Sequence, residues 1–452
     1  MDHAVDLTAL QSQVLSDTTL IVYYIAEGIL EVPTEQLAVA WVIDADHVAA
    51  VPLDTTGAEI RAAVELLRLN MTSSSRGNGA AKQAEQLYGT LMAPLEPYLR
   101  HENITIVPYG SLYYLPFAAL WNGETERYLI EDYTPTYAPS LATLPLIQAR
   151  RTPNANSLLA LGNPDRSLPN ASAEAQTIAD LYATAPLTGL LATESAVYSQ
   201  SHTIDLLHLA AHGVYNARDP LATQIALSAD PLNDGALEVR EVFRLDLAET
   251  NLVFLSACET ALGKQSMGDE IMGLTRAFLY AGTPSIVTTL WSINDAASSV
   301  LVGTFYAEIA QGSSFAAALQ TAQLAVMHEE KWHAPYYWAA FTRHGDYLGS
   351  GEPSAIQPAS STPTTTVAAE QPVATATPTT EAVAQLEITM DNLNVRSGPS
   401  TAYEQLGRLR AGERVTIVGS NTGETWWQIC CVAGARGWVI NNENYMRILE
   451  KK

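Results

Sequence analysis

The sequence predicts an α/β fold, a mostly parallel sheet covered by helices, with a small all-β barrel at the C-terminus. Three observations lead there. From residue 20 to 349, short apolar runs of strand type alternate with stretches in which Leu and Ala recur at helical spacing. Strands separated by helices imply parallel pairing with both faces of the sheet covered. From about residue 386 the pattern becomes short alternating stretches punctuated by glycine, which reads as a small barrel.

The elements follow in order. Segments 19–26 and 37–53 are rich in Val, Ile, Tyr and Trp and read as strands, whereas 58–69 and 80–99 have helical spacing. Segments 104–107 and 158–161 are short buried strands. A helix is expected over 173–182 with Ser172 as its N-cap. Ile204-Asp-Leu-Leu-His-Leu-Ala-Ala-His-Gly213 is a strand with His212 at its exit, and Asn251-Leu-Val-Phe-Leu-Ser-Ala-Cys258 is a strand with Cys258 at its exit. Asn233-Asp234-Gly235 marks a tight turn between them. A helix over 268–280 stops at Gly282, a buried strand covers 285–291, and helices follow over 295–310 and 314–327. Residues 350–380 are mostly Pro, Thr, Ser and Ala, bury no core, and are expected to be a disordered linker. The expected organisation is a large α/β domain over 18–348, a linker over 349–384 and a barrel over 385–450.

The 452 residues allow two or three domains at roughly 150 residues each. An apolar content of 47% supports a sizeable core. With 24 basic against 48 acidic residues the net charge is −24, which argues against nucleic acid and favours basic peptides as partners. The three cysteines, Cys258, Cys430 and Cys431, make neither a disulfide framework nor a zinc ligand set. No run of about 18 apolar residues and no leader pattern occurs, so a cytoplasmic location without a membrane span is the expectation. The histidines include no HExxH spacing, and no GxxxxGK[ST] or GxGxxG is present, so neither a metal nor another cofactor is expected.

If the His212 and Cys258 strands are neighbours in a parallel sheet, a thiol and an imidazole meet at the edge where α/β folds place their sites. An imidazole beside a thiol can take its proton and later protonate a leaving amine. Gly213 leaves room for a substrate backbone. Taken singly, each residue has a bland reading: free cysteine packs well in cores, and a histidine near a strand end is often structural. His208, four residues before His212, reads as structural.

The segments LLHLAAHG, VFLSACETALG, GDEIMGLTRAFLYAGTPSIVTTLWSIND and YYWAAF resemble CHAT domains, caspase-like modules related to separases, caspases and gingipains. SLYYLPFAAL and YAPSLATL are similar to other stretches of that family. The resemblance implies a caspase–haemoglobinase α/β fold and a cysteine endopeptidase acting on protein or peptide substrates. His212 then matches the catalytic histidine and Cys258 the nucleophile, with the backbone N–H groups of Gly213 and Cys258 as the oxyanion hole. The resemblance supplies no third member to orient the histidine. It also implies an activating protein partner; autocleavage within the 259–268 loop or the linker is the other route of activation considered.

Trp291-Ser-Ile-Asn-Asp295 resembles the Trp-x-x-x-Asp segment of separases, whose aspartate faces a basic P1 side chain. Asp295, with Asp269 and Glu270, is therefore the expected substrate-binding set, selecting Arg or Lys. The competing reading makes Asp295 a helix N-cap and Asp269-Glu270 helix-start residues.

The C-terminal stretch with NVRSGPS, a Gly-rich middle and GWV resembles bacterial SH3 domains. The resemblance implies a peptide or cell-wall ligand held by aromatic side chains. Trp426, expected to face outward, and Tyr403 and Tyr445 are the candidates. Trp427, Trp438 and the cysteine pair are expected to pack. A non-catalytic scaffold acting through this barrel is the alternative to a peptidase.

Overall fold

The structure, a computed structural model, describes residues 7–14, 17–25, 38–72, 79–152, 155–216, 218–256, 258–259, 269–291, 294–346, 385–389, 393–396, 405–420, 426–432, 435–440 and 446–449. The expected linker and the segment 260–268 lie outside these residues. Two compact units divide the chain, Met1–Pro358 and Ala359–Lys452.

The larger unit is built on an eleven-stranded sheet. Its order from one edge is Val48–Leu53, Ala38–Ile43, Thr18–Ile25, Asn103–Val107, Thr134–Tyr137, Phe341–Gly345, Ser285–Thr289, Leu252–Leu255, Leu206–Ala210, Leu158–Gly162 and Leu187–Thr188. Seven of the ten pairings are parallel. The hairpin at the first edge and the pairing of Ser285–Thr289 with Phe341–Gly345 are antiparallel. That last pairing is a seam between two parallel blocks that run in opposite directions. Of these two blocks, the one from Ser285–Thr289 to Leu187–Thr188 presents its carboxyl ends at the edge holding His212 and Cys258.

Alternation along the strands divides the core between the two faces. Leu206, Leu252, Phe254, Val287 and Ala160 pack on one face beneath the helices Pro169–Leu181, Asp295–Ala310 and Phe315–Met327. Leu207, Leu209, Leu161, Val253, Leu255 and Ile286 pack on the other, with Val239, Val242, Ala277 and Phe278 from the helices Val239–Val242 and Asp269–Ala281. His208 belongs to the first face and is fully buried. Its Nε2 is 2.9 Å from Glu174 Oε1 and its Nδ1 3.2 Å from the Tyr306 hydroxyl, while the ring stacks on Phe254. These contacts fit the structural role expected of it.

Two boundaries differ from expectation. The helix expected over 80–99 ends at Leu91, and a 3-10 segment, Ala93–Tyr98, follows it because Pro94 and Pro97 cannot donate to a continuing ladder. The helix expected from residue 173 begins at Pro169, with proline in the first turn where its missing N–H costs nothing. Ser172 is therefore inside the helix and accepts from Asn163 Nδ2 rather than capping. The Asn233–Gly235 turn falls where expected, with Gly235 at φ 89°, between Gln224–Ala226 and Ala236–Glu238.

The smaller unit is a seven-stranded antiparallel sheet whose core holds Leu386, Ile388, Val395, Ile429 and Val439. Glu387 sits between Arg414 and Arg447 and bonds to both.

Candidate functional site

The His212 and Cys258 strands are immediate neighbours. In the large sheet Leu206 pairs with Leu252 and Leu209 with Leu255. Both chains then leave that sheet together and enter a second, four-stranded one. There His212 pairs with Cys258 and Gly213 with Glu259, in the same register as before. Partners on adjacent strands have Cα atoms about 5 Å apart. On its other side His212–Val214 pairs with Gln224–Ala226, which continues through the Gly235 turn into Ala236–Glu238. Gly213 is buried between these two partners.

His212 is partly exposed, at 23% of its side chain. Its Nε2 lies 2.7 Å from Ser167 Oγ and 3.7 Å from Asp165 Oδ2. Its Nδ1 is buried and has no hydrogen-bond partner among the described residues. Ser167 and Asp165 belong to the turn that leaves the neighbouring strand Leu158–Gly162, and sequence reasoning missed both. The turn residues Asn163-Pro-Asp-Arg-Ser167 were visible, but only strand order brings them to His212. Asp165 accepts from the Ser167 backbone and hydroxyl, and these bonds hold its carboxyl below the usual carboxylate range.

Asp295 follows the next strand of the same parallel block, so the exits carrying Ser167, His212, Cys258 and Asp295 share one edge of the sheet. Its carboxylate is exposed and accepts from Asn170 Nδ2 at 3.1 Å, which ties it to the helix that begins just after Ser167. The capping role considered for Asp295 belongs to Asn294, whose side chain accepts from the backbone of Ala296 and Ala297. Asp295 is the first residue of that helix. Asp269 and Glu270 open the helix Asp269–Ala281, and their side chains lie outside what is described. Among the described residues no cluster of His, Cys, Asp or Glu is placed to hold a metal, and no helix is long and apolar enough to cross a membrane.

In the smaller unit Tyr403 and Tyr445 lie outside the described residues. Trp427 packs against the core, as expected. Trp426, on the alternate face, is only 8% exposed, so the outward aromatic expected there is covered.

The family model for the CHAT domain matches residues 81–346, and that for the bacterial SH3 domain matches 391–444. Tetratricopeptide repeat protein 28 of Mus musculus is 28% identical over 342 residues, covering 62% of this chain and 14% of its own length. The Homo sapiens protein of that name is 28% identical over 330 residues, 60% of this chain and 13% of its own. The chain thus spans about a seventh of these relatives. The separase–securin complex of Saccharomyces cerevisiae is similar with a TM-score of 0.50 at 11% identity, over 75% of this chain and 30% of that one. That likeness is one of fold, the caspase–haemoglobinase α/β sheet. The chain belongs to the CHAT domain family and carries a bacterial SH3 domain toward its C-terminus.

Proposed function

We propose that the larger unit is a cysteine endopeptidase whose catalytic pair is His212 and Cys258. The observation that carries the reading is the ladder register that sets His212 opposite Cys258 at the carboxyl ends of a parallel block. The His212 ring takes the Cys258 proton, the thiolate attacks the scissile carbonyl, and the imidazolium returns the proton to the leaving amine. The backbone N–H groups of Gly213 and Cys258 receive the oxyanion.

Asp295, with Asp269 and Glu270, selects a basic P1 side chain. Charge supports this choice. Residues 1–358 hold 39 acidic and 16 basic side chains, against nine and eight in 359–452, so nearly all the excess charge belongs to the larger unit. Such a field gathers basic peptides. The SH3 domain binds a peptide or cell-wall ligand and delivers the peptidase to it. A protein partner that gates the site belongs to the same proposal, since the separase above was solved in a complex with securin.

The test is hydrolysis of a fluorogenic peptide panel varied at P1, with the Asp295→Ala chain beside the wild type. The expected result is Arg and Lys well above Leu and Asp, and a loss of that preference in Asp295→Ala. A preference for Asp or Leu in the wild type rejects the basic pocket. Binding without turnover of any peptide favours the scaffold reading.

A further inference from the structure

We infer that Asp165 and Ser167 are positioning residues that fix the tautomer of His212 and leave its Nδ1 as the acceptor for the Cys258 proton, an inference that rests on the peptidase reading above. Three distances carry it. Ser167 Oγ lies 2.7 Å from His212 Nε2. The same Oγ lies 2.7 Å from Asp165 Oδ1. Asp165 Oδ2 lies 3.7 Å from Nε2.

A hydroxyl has one proton, and a carboxylate can only accept. The Ser167 proton is therefore committed to Asp165, and Oγ meets Nε2 with a lone pair. A hydrogen bond forms there only when Nε2 carries the proton. The reverse assignment would set lone pairs of Oγ and Oδ1 against each other at hydrogen-bond distance. A neutral imidazole carries one ring proton, so Nδ1 is bare. This nitrogen is also the one that is buried and has no partner among the described residues. Buried ring nitrogens are ordinarily satisfied, and this one is left free to accept.

The turn is anchored, so Ser167 is not placed by chance. Asn163, at φ 51°, donates its backbone N–H to Ala210 O on the histidine strand. Its side chain accepts from the backbone of Leu168 and donates to Ser172. Pro164 O accepts from Ser228 Oγ at 2.8 Å.

The proton balance is simple. The Cys258 S–H bond breaks, and its proton goes to the Nδ1 lone pair, leaving thiolate and imidazolium. The new positive charge rests against Nε2–H, Ser167 Oγ and the Asp165 carboxylate. When the amine leaves, the Nδ1 proton goes to it. No proton passes through Ser167, which orients the ring as the aspartate orients the histidine of a serine protease. The Asp165 side chain is 52% exposed, so solvent screens its charge and the directional bond from Ser167 matters more.

The test uses the full chain labelled with 15N-histidine, with His212 assigned by its loss in His212→Gln. Long-range 15N–1H correlations give the tautomer at a pH where the ring is neutral. The expected wild-type signature is Nε2–H. Ser167→Ala gives mixed tautomers and a kcat lower by about 10–100-fold, with KM changed less than about twofold. Ser167→Thr, which keeps the hydroxyl, restores both the tautomer and most of the rate, and Asp165→Asn falls between. An Nδ1–H tautomer in the wild type overturns the inference, as does a Ser167→Ala chain with unchanged tautomer and kcat. An Nε2–H tautomer in a chain that turns over no peptide supports the positioning and counts against an ungated peptidase, so the two failures are distinguishable.

Discussion

Replacing Glu194 by Gln should make the stability of the larger unit much less sensitive to pH. Glu194 is 1% exposed, and its Oε1 accepts the Gly235 backbone N–H at 2.7 Å, pinning the turn of the hairpin that pairs with His212–Val214. Burial, then the nearby carboxylates of Glu241, Asp234 and Asp230, push its carboxyl from 4.5 up to about 7, against the opposing pull of the Gly235 bond. A carboxyl raised in the folded state contributes stability that is complete below its unfolded value and is lost as pH rises to the folded one. At about 1.4 kcal/mol per pH unit, the loss between those two values is roughly 3 kcal/mol. Gln keeps the carbonyl for Gly235 and never ionises. The variant should therefore exceed the wild type by under about 1 kcal/mol at pH 5 and by roughly 3 kcal/mol at pH 8. In a unit of this size that is a rise in Tm of about 5 °C or more at pH 8 and little at pH 5. Thermal unfolding followed by circular dichroism at both pH values reads it. An advantage that is the same at pH 5 and pH 8, or a variant less stable at pH 8, would refute the argument.

Two further variants probe the surroundings of the site. Gly235→Ala forces an L residue to φ 89° and sets a Cβ 2.6 Å from Leu227 O, so it should cost about 2 kcal/mol or more, seen as a lower Tm. Glu174→Ala strips the buried His208 of its Nε2 partner and should cost about 3 kcal/mol, whereas Glu174→Gln, which still accepts, should cost about 1 kcal/mol; equal losses would mean that packing alone is at work.

The buried parallel strands were legible because strands covered on both faces read as continuous apolar runs, as at Leu158–Gly162 and Leu252–Leu255. The adjacency of the histidine and cysteine strands entered only as a condition, because apolar runs do not fix strand order; the pairing of Leu206–Leu209 with Leu252–Leu255 meets it. The closing strand Phe341–Gly345 was not legible. It buries Thr342, Arg343 and His344, and Arg343 is held by Thr136 Oγ1 and the Asp346 carbonyl, so a central strand carries a polar sequence. The antiparallel seam it makes is a long-range choice that no local pattern encodes. For the same reason Asp165 and Ser167 were invisible as partners of His212, since they come from a turn 45 residues earlier in the chain. In the SH3 domain, alternation separated Trp426 from Trp427 correctly, yet burial of Trp426 depends on what covers its face, which alternation does not give.

The most direct test of the central claim is covalent trapping. The full chain is incubated near neutral pH with a peptidyl acyloxymethyl ketone bearing Arg at P1, and the adduct is mapped by mass spectrometry. A His212–Cys258 pair predicts one adduct, on Cys258, formed rapidly, suppressed by competing Arg peptides and lost in His212→Ala. Labelling of Cys430 or Cys431 with Cys258 untouched, or labelling of Cys258 at the same rate in His212→Ala, would contradict it.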